Sequence, residues 1–253
     1  MPYDTSVIIQ AFTETADAIG ITVSGGLSWA KSGGHKGQHQ GDIDADNVGI
    51  GILTGYGFRI FSEESGFTLP STHTPSTEVV AVIDPVDGST NASKGIPFYA
   101  VSLCAIVDGA PLVGFVRNLA SGDTYLGEVG KGSTKNGNFI SASNVTEISK
   151  SVIGLNGYSA KHLGWGQCRA FGSAALELCM VAEGALDGYA DLSDASLASW
   201  DILGGVLICQ EAGATVICQD GNDYVPTDLE MRKRIVAAGT VELAQELQRR
   251  AWS

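Results

Sequence analysis

Two carboxylates follow an apolar run in the stretch VVAVIDPVDGSTN, residues 79–91. The run is typical of a buried strand that ends at Asp84, and Pro85 fixes the turn that leads to Asp87. Carboxylates held this close repel each other, and each raises the pKa of the other unless a cation lies between them. Oxygen ligands of this kind suit Mg²⁺, which usually serves phosphate chemistry. The pair therefore indicates a magnesium site at the end of a strand.

Small and hydroxyl residues after Asp87 could bind an anion beside that metal. Gly88 allows the backbone to approach a ligand closely, and Ser89 or Thr90 could cap a helix that begins here. The N–H groups at a helix start have no partners within the helix and can hold phosphate oxygens. Metal ligands so close to a phosphate cradle suit phosphoryl chemistry, in which cations polarise the phosphoryl group and a water attacks.

Further acids stand at the ends of predicted elements. Glu63 follows the apolar run FRIFS, Asp191 ends LDGYA, and Asp201 follows Trp200 at a predicted helix start. Strand ends gather at one edge of a sheet, where loops form sites, although a single acid there usually faces solvent. Asp201 considered by itself could equally be the N-cap of its helix.

Four blocks of sequence, taken together and in order, resemble the inositol monophosphatase family of Mg²⁺-dependent, lithium-sensitive sugar phosphatases. They are SEES at residues 62–65, DPVDGSTN at 84–91, GSAALELCMVAEGALDGYAD at 172–191 and WDILGGVLICQEAGATV at 200–216. The resemblance spans residues 42–239. It implies an α+β fold, a layered αβαβα sandwich of the inositol monophosphatase and fructose-1,6-bisphosphatase type.

The resemblance also implies which residues bind metal. Glu63, Asp84 and the carbonyl group of Val86 would hold a first Mg²⁺ ion. Asp84, Asp87 and Asp201 would hold a second, and Glu63 would touch a third, weaker one. The implied cofactor is therefore Mg²⁺, with two or three ions in the site.

The catalytic residues that the resemblance implies are Asp46, Ser89 and Glu63. Ser89 Oγ and Asp46 would orient and deprotonate the attacking water, while the N–H groups of Gly88 and Ser89 would hold the phosphate. Asp191 would contact a substrate hydroxyl group. The full set implied to bind substrate is Gly88, Ser89, Thr90, Gly172, Ser173, Ala174 and Asp191.

The chain departs from the family's pattern at the residue that would activate the water. The family's early motif is Thr-x-x-Asp, whereas this chain reads GDIDADN, with Ile43 in the threonine position. Asp42 and Asp44 are therefore rivals of Asp46. Asp46 is favoured because the apolar segment VGIGIL follows it so closely.

Other departures bear on the same site. Ser62 replaces the glycine of the family's Gly-Glu-Glu block, and Ser89 replaces a threonine but keeps the hydroxyl group. The stretch LSDASLAS, residues 192–199, is slightly longer than usual and would border the substrate. The choice of substrate therefore cannot be carried over from the family.

The order of elements predicts two halves. We expect a helix over residues 4–20 that Asp4 or Thr5 could cap, and a Gly-rich loop over 32–47 whose two histidines are solvated. An antiparallel strand meander with Asp-Gly and Asn-Gly turns follows, and then alternating helices and strands. The half 1–145 would carry the metal and phosphate site. The half 146–253 would supply Asp201 and the substrate pocket.

Composition bounds the partners and the compartment. A formal net charge of −13 argues against nucleic acid or an anionic membrane as the main partner. The five cysteines lack CxxC spacing, and Cys104, Cys179 and Cys209 lie within apolar runs, which indicates buried free thiols in a reducing cytoplasm. The N-terminal stretch has no basic region before an apolar core, so we expect no signal peptide. The family resemblance implies a homodimer.

These features predict a Mg²⁺-dependent phosphomonoesterase that hydrolyses a small polyol or sugar phosphate through a metal-activated water. Histidinol phosphate and 3′-phosphoadenosine phosphate are alternative substrates within the family. The stretch 185–200 contains no lysine or arginine, which favours a monophosphate over a bisphosphate or a nucleotide. A rival hypothesis is a non-catalytic relative that binds a phosphorylated ligand or another protein.

Overall fold

Two β-sheets alternate with layers of helices. The computed structural model describes residues 4–26, 28–34, 38–71, 78–220, 230 and 232–252. Within these ranges the layers follow the order helix, sheet, helix, sheet, helix. The predicted α+β sandwich is therefore confirmed.

The first sheet is a mostly antiparallel meander. Its strands are β1 (Arg59–Ser62), β2 (Gly66–Thr68), β3 (Val80–Asp87), β4 (Ala100–Val107), β5 (Ala110–Asn118), β6 (Thr124–Glu128), β7 (Gly132–Lys135) and β8 (Asn138–Phe139). They lie in the order β2-β1-β3-β4-β5-β6-β7-β8, and β1 and β3 form the parallel pair. The predicted Asp-Gly and Asn-Gly turns are found at 108–109, between β4 and β5, and at 136–137, between β7 and β8.

The second sheet is mixed and shorter. Its strands are β9 (Val152–Asn156), β10 (Gln167–Arg169), β11 (Gly188–Asp191), β12 (Thr215–Cys218) and β13 (Ile235–Ala238), in the order β10-β9-β11-β13-β12. β13 runs antiparallel to both of its neighbours, while β9 runs parallel to β10 and β11. The edge at which β11 ends therefore also holds the end of β12 and the start of β13.

Helices cover both sheets and fill the space between them. They are α1 (Thr5–Ser24), α2 (Gln40–Gly55), α3 (Ser89–Lys94), α4 (Ala174–Ala182), α5 (Ser199–Glu211) and α6 (Val241–Ala251). α1 and α2 pack on the outer face of the first sheet, α4 and α5 lie between the sheets, and α6 covers the second sheet. No helix in the described ranges combines the length and the apolar character needed to cross a membrane.

The first two helices confirm one prediction and correct another. Asp4 caps α1 by accepting the Ser6 amide at 2.9 Å, as the predicted helix over residues 4–20 requires. The predicted loop over 32–47 is wrong from residue 40 onwards, because α2 begins there.

The buried face of α2 explains the error. It is formed by residues four apart, and most of them are small. These residues are Gly41, Ala45, Gly49 and Leu53. A Cβ atom at Gly49 would lie 3.2 Å from Ile83 Cδ1, so the helix approaches β3 closely. Because these residues are small, the sequence shows no periodic pattern of large apolar side chains that would have predicted the helix. His39 precedes the helix as its N-cap, and only 13% of its side chain is exposed, so the prediction that it is solvated is wrong. His35 lies outside the described residues.

The middle layer joins the two halves of the chain. The strands of the first sheet precede residue 145 and those of the second follow it, yet α5 packs on both sheets. The division into halves at residue 145 therefore stays a prediction. Cys104, Cys179 and Cys209 are buried free thiols, as the sequence predicted.

Glycines let α5 sit unusually close to the first sheet. A Cβ atom at Gly114 of β5 would lie 2.6 Å from the Gly204 carbonyl oxygen, and one at Gly205 would lie 2.8 Å from Leu178 Cβ of α4. Backbone atoms cannot yield as flexible side chains do. This close approach fixes how the middle of α5 packs between β5 and α4.

We expect Gly114→Ala to lower the free energy of unfolding by about 1–3 kcal/mol, because the added methyl group overpacks against the backbone of α5. Urea denaturation measures the change. Gly51→Ala is the matched control: that exposed position in α2 has no heavy atom within 4 Å of a Cβ. The control should gain about 0.5–1 kcal/mol from helix propensity. Equal effects in the two variants would contradict the packing argument.

Candidate active site

A β-bulge at the end of β3 places both signature acids on one face of the sheet. Asp84 pairs with Ser102 and Asp87 pairs with Ala100, so β3 contains one residue more than β4 over this interval. In a regular strand, residues three apart point to opposite faces. The extra residue cancels that alternation. Pro85 lies in the bulge, where its missing N–H group costs no ladder hydrogen bond.

The parallel pairing of β1 with β3 brings Glu63 to the same edge. Ser62 pairs with Ile83, and the Glu63 amide donates to the Ile83 carbonyl at 3.3 Å. Parallel strands end at the same edge of a sheet, so the residues that follow them become neighbours. Glu63 therefore lies beside Asp84.

The helix α5, which packs on the first sheet, supplies the third acid, Asp201. Asp201 is the third residue of the helix, and its Oδ2 accepts the Ala198 amide at 2.7 Å. The neighbouring Trp200 packs against Phe61 of β1, with ring centroids 5.3 Å apart. One carboxylate oxygen of Asp201 thus serves the helix start. The N-cap of α5 is Ala198, so the prediction of Asp201 as N-cap is wrong in position. The ligand role of Asp201 stays a prediction, and its Oδ1 would be the oxygen available for it.

Glu63, Asp84 and Asp201 form an acidic cluster. Each offers one carboxylate oxygen, and these oxygens lie within 4.8 Å of one another. Burial and then the charges of its acidic neighbours raise the pKa of Asp84 well above its ordinary value. Burial, followed by the charge of Asp201, raises the pKa of Glu63 to about 8. Burial, followed by the charge of Asp87, raises the pKa of Asp201 to about 7.

This donor set fits a magnesium ion. Asp84 is buried, while Glu63 and Asp201 are half-buried. The three carboxylates offer oxygen donors alone, which are the ligands that Mg²⁺ prefers. A divalent cation between them would replace their mutual repulsion by attraction. The acidic cluster could therefore hold the metal that the sequence predicted.

Asp87 is held by the first turn of α4. Its Oδ2 accepts Ser173 Oγ at 2.6 Å and the Ala175 amide at 2.7 Å. Burial raises the pKa of Asp87 to about 6 in spite of these hydrogen bonds. Asp87 lies near enough to the acidic cluster for its charge to contribute to the raised pKa of Asp84 and of Asp201. Metal binding by Asp87 would use its other oxygen, Oδ1. The roles of Asp87 and of the buried Val86 as ligands stay predictions.

The three rival acids of α2 differ in their surroundings. Asp46 is buried and accepts a short hydrogen bond from Ser62 Oγ, so it lies next to the strand end that carries Glu63. Asp42 instead accepts the amide of the N-cap residue at 2.9 Å. Asp44 accepts Nε2 of Gln40 at 2.9 Å and is less buried. Geometry favours Asp46. Burial raises its pKa, although the Ser62 hydrogen bond opposes the rise.

The two predicted substrate segments meet at a pair of glycines. Gly88 has a φ of +91°, and a Cβ atom there would lie 3.0 Å from the Gly172 carbonyl oxygen. Asn91 ties the segments together, because its Nδ2 donates at 2.7 Å to the carbonyl groups of both Phe98 and Phe171. Close approach and positive φ both require glycine at position 88.

The hydroxyl residues of these segments have distinct roles. Ser89 is half-buried and begins α3, and Thr90 beside it is exposed. Ser173 caps α4, since its Oγ accepts the Leu176 amide at 3.4 Å while it donates to Asp87, and Ala174 is the first residue of that helix. The structure thus brings residues 88–90 and 172–174 together. Their contacts with substrate stay predictions.

Asp191 organises the loop after β11. Its side chain is fully buried, and its Oδ1 accepts Asn156 Nδ2 at 3.0 Å, the Ser193 amide at 2.9 Å and Ser193 Oγ at 2.6 Å. Its Oδ2 is buried without a hydrogen bond in the described part of the chain. The contact with a substrate hydroxyl group stays a prediction.

Sequence analysis missed some residues of the site. Ser62 was noted as a replacement, but its hydrogen bond to Asp46 was not foreseen. Glu177 holds the turn that leads into α4, because its Oε1 accepts hydrogen bonds from the Phe171 and Gly172 amides at 2.9 and 3.1 Å. An acid in the first turn of a helix is common, so the sequence did not single out Glu177 as part of the site. Arg232 packs 5.7 Å from the ring centroid of Trp200. The run Arg-Lys-Arg at 232–234 was its available signal.

The five-layer arrangement is that of the inositol monophosphatase and fructose-1,6-bisphosphatase fold. A solved inositol monophosphatase from Anabaena superposes with a TM-score of 0.79 at 27% sequence identity. The match covers 98% of this chain and 96% of that chain.

Sequence comparison gives the family. The model of the inositol monophosphatase family matches residues 54–253, and the chain belongs to that family. A fructose-1,6-bisphosphatase/inositol-1-monophosphatase of Methanothermobacter thermautotrophicus is 32% identical over 225 residues, which cover 81% of this chain and 80% of the relative. A bifunctional NADP phosphatase/NAD kinase of Methanococcus maripaludis is 34% identical over 223 residues, which cover 77% of this chain and 39% of the relative.

The acidic cluster predicts how stability depends on pH. Glu63, Asp87 and Asp201 have pKa values of about 8, 6 and 7, whereas carboxyl groups of an unfolded chain titrate near pH ~4. Between pH ~4 and ~8 the native protein binds more protons than the unfolded chain, so the free energy of unfolding falls as pH rises. We expect the Tm in EDTA to fall from pH ~5.5 to pH ~8.5, and Mg²⁺ to raise it most at the higher pH.

Matched glutamate variants separate this effect from general charge repulsion. Glu63→Gln should flatten the fall in Tm with pH, because it removes a buried group of raised pKa. Glu147→Gln, in an exposed position, should keep the wild-type slope. Equal slopes in both variants would mean that the acidic cluster does not govern the pH dependence.

Proposed function

We propose that the protein is a Mg²⁺-dependent phosphomonoesterase that hydrolyses a small polyol or sugar phosphate. The observation that carries this proposal is the acidic cluster of Glu63, Asp84 and Asp201 at the strand end that continues into the turn at Gly88. The family membership of the chain supports a phosphatase. A non-catalytic relative is the weaker candidate, because the chain retains the complete set of acids.

Each part of the site has a task in this reaction. Bound Mg²⁺ would polarise the phosphoryl group and lower the pKa of a neighbouring water. The acidic cluster, Asp87 and the carbonyl group of Val86 would hold two or three such ions. The N–H groups at Gly88 and Ser89 would orient the phosphate oxygens.

Asp46 and Ser89 would manage the proton of the attacking water. A carboxylate with a raised pKa accepts a proton more readily at neutral pH than an ordinary aspartate does, and burial raises the pKa of Asp46. Ser89 Oγ would direct the water towards the phosphorus atom. Ser62 donates to Oδ1 of Asp46 and so would help to orient this carboxylate.

The substrate side of the pocket rests on the paired glycine segments. Gly172, Ser173 and Ala174 would border the sugar or polyol, with Asp191 near its hydroxyl groups. Two relatives carry the names of a fructose-1,6-bisphosphatase/inositol-1-monophosphatase and a bifunctional NADP phosphatase/NAD kinase, which extends the proposed substrates to compounds with more than one phosphate group. A homodimer and lithium sensitivity remain expectations from the family, and a cytoplasmic location remains an expectation from the cysteines.

Phosphate release tests the proposal. A panel of polyol, sugar, histidinol and nucleotide phosphates is assayed with Mg²⁺ and with EDTA. We expect release that requires Mg²⁺ and falls by roughly 100-fold or more in Asp84→Asn, because a buried ligand carboxylate is lost. Asp108→Asn is the control, since this residue is exposed in the turn that follows the far end of β4. Release that persists in EDTA would refute the metal mechanism.

A second pair of variants identifies the residue that activates the water. Asp46→Asn should lower kcat by roughly 10²–10⁴-fold, the range for loss of a general base. Asp44→Asn, on the other side of the same helix, should stay within about twofold of wild type. Steady-state kinetics with the best substrate of the panel measures both. A larger loss in Asp44→Asn would reverse the assignment.

A further inference from the structure

A basic pocket lies at the same edge of the second sheet as Asp191. It has a volume of about 300 Å³ and is lined by the run Arg232, Lys233 and Arg234. The other residues that line it are Ser196, Cys218, Gln219 and Asp220. A cavity of this size can hold a phosphate group with part of the carbon skeleton attached to it.

Strand register places the basic pocket at the active-site edge. Ala190 pairs with Val236, so the residue before β13 lies next to the end of β11 at Asp191. Leu197 and Lys233 form a β-bridge across the same edge. The basic run therefore packs against the loop 192–198, which leads from β11 to α5.

Arg232 connects the basic pocket to the acidic cluster. Its guanidinium carbon lies 5.7 Å from the ring centroid of Trp200, the residue directly before Asp201. Its Nη1 donates to the Ser196 carbonyl at 3.3 Å. A substrate whose phosphate lies at the acidic cluster could thus extend a second group towards Arg232.

The charge of the pocket suits an anion. The chain carries a net charge of −13, yet these are three consecutive basic residues, the only such run in the sequence. In the described part of the chain, Arg234 Nη2 lies 3.4 Å from Asp194 Oδ1, and Asp194 is fully exposed to solvent. An ion pair with one partner fully exposed contributes little stability, so the Arg234–Asp194 pair is weak. Arginine forks bind phosphate through paired N–H donors. Among the described residues that line the pocket, Asp220 is the single acid.

We propose that the basic pocket binds a second phosphate group of the substrate, so that the preferred substrate is a bisphosphate. The inference rests on the proposed phosphatase function, because it assigns the far end of the same substrate. The sequence favoured a monophosphate because residues 185–200 lack basic groups. The fold supplies these groups from residues 232–234 instead.

Matched substrates and matched variants test the proposal. Fructose 1-phosphate and fructose 1,6-bisphosphate are compared with saturating Mg²⁺ in wild type, Arg232→Gln, Arg234→Gln and Arg249→Gln. Arg249 is the control, because it pairs with Glu246 on α6. We expect wild type to prefer the bisphosphate in kcat/KM. The ratio of the two kcat/KM values should fall about tenfold in Arg232→Gln and Arg234→Gln, mainly through KM, and should keep its wild-type value in Arg249→Gln.

A binding measurement makes the test independent of turnover. Isothermal titration calorimetry in EDTA follows fructose 6-phosphate, with fructose as the uncharged control. We expect fructose 6-phosphate to bind wild type and Arg249→Gln, and to bind the other two variants about tenfold more weakly.

The outcomes separate the inference from the proposed function. If no ester is hydrolysed but the two arginine variants lose fructose 6-phosphate binding, the phosphatase proposal fails and the basic pocket stands. If esters are hydrolysed without any dependence on Arg232 or Arg234, the phosphatase proposal stands and the pocket assignment is wrong. Absence of fructose 6-phosphate binding to wild type would also overturn the assignment.

Discussion

Repulsion between closely placed carboxylates is the constraint on which the rest of the site depends. Glu63, Asp84 and Asp201 approach within 4.8 Å of one another, and burial removes the water that would otherwise screen them. Each is therefore held by a separate device. A parallel strand pair holds the first, a bulged strand the second and a helix start the third. Rigid layers above and below keep these devices in place while the charges oppose their approach.

The sequence predicted features that depend on local chemistry. Turn dipeptides marked the meander, and Asp4 marked the start of α1. The sequence did not predict α2. Most of the residues on its buried face are small, such as Gly41, Ala45 and Gly49, and hydrophobic periodicity depends on large side chains. Close packing, rather than large buried area, holds that helix against β3. Such packing depends on the shape of a partner that lies far away in the sequence.

The predicted site shows the same limit. The motif blocks gave the acidic cluster and the paired glycine segments, because those residues act through their chemical type. They did not give the bond between Ser62 and Asp46, or the stacking of Arg232 on Trp200. Both contacts join residues that only the fold makes neighbours. Two departures from the family's pattern also meet here. Ser62 replaces a glycine, and its hydroxyl group donates to Asp46, the acid of the motif in which Ile43 replaces the expected threonine.

The loop between β11 and α5 is anchored at both ends by acids. Asp191 holds the amide and the hydroxyl group of Ser193, and Asp201 holds the amide of Ala198. Residues between these two anchors can change in number or type without moving the strand end or the helix start. Evolution could therefore remodel the rim that selects among substrates while the reaction centre stays fixed. Such modularity would let one scaffold diversify into enzymes that share chemistry but differ in metabolic role.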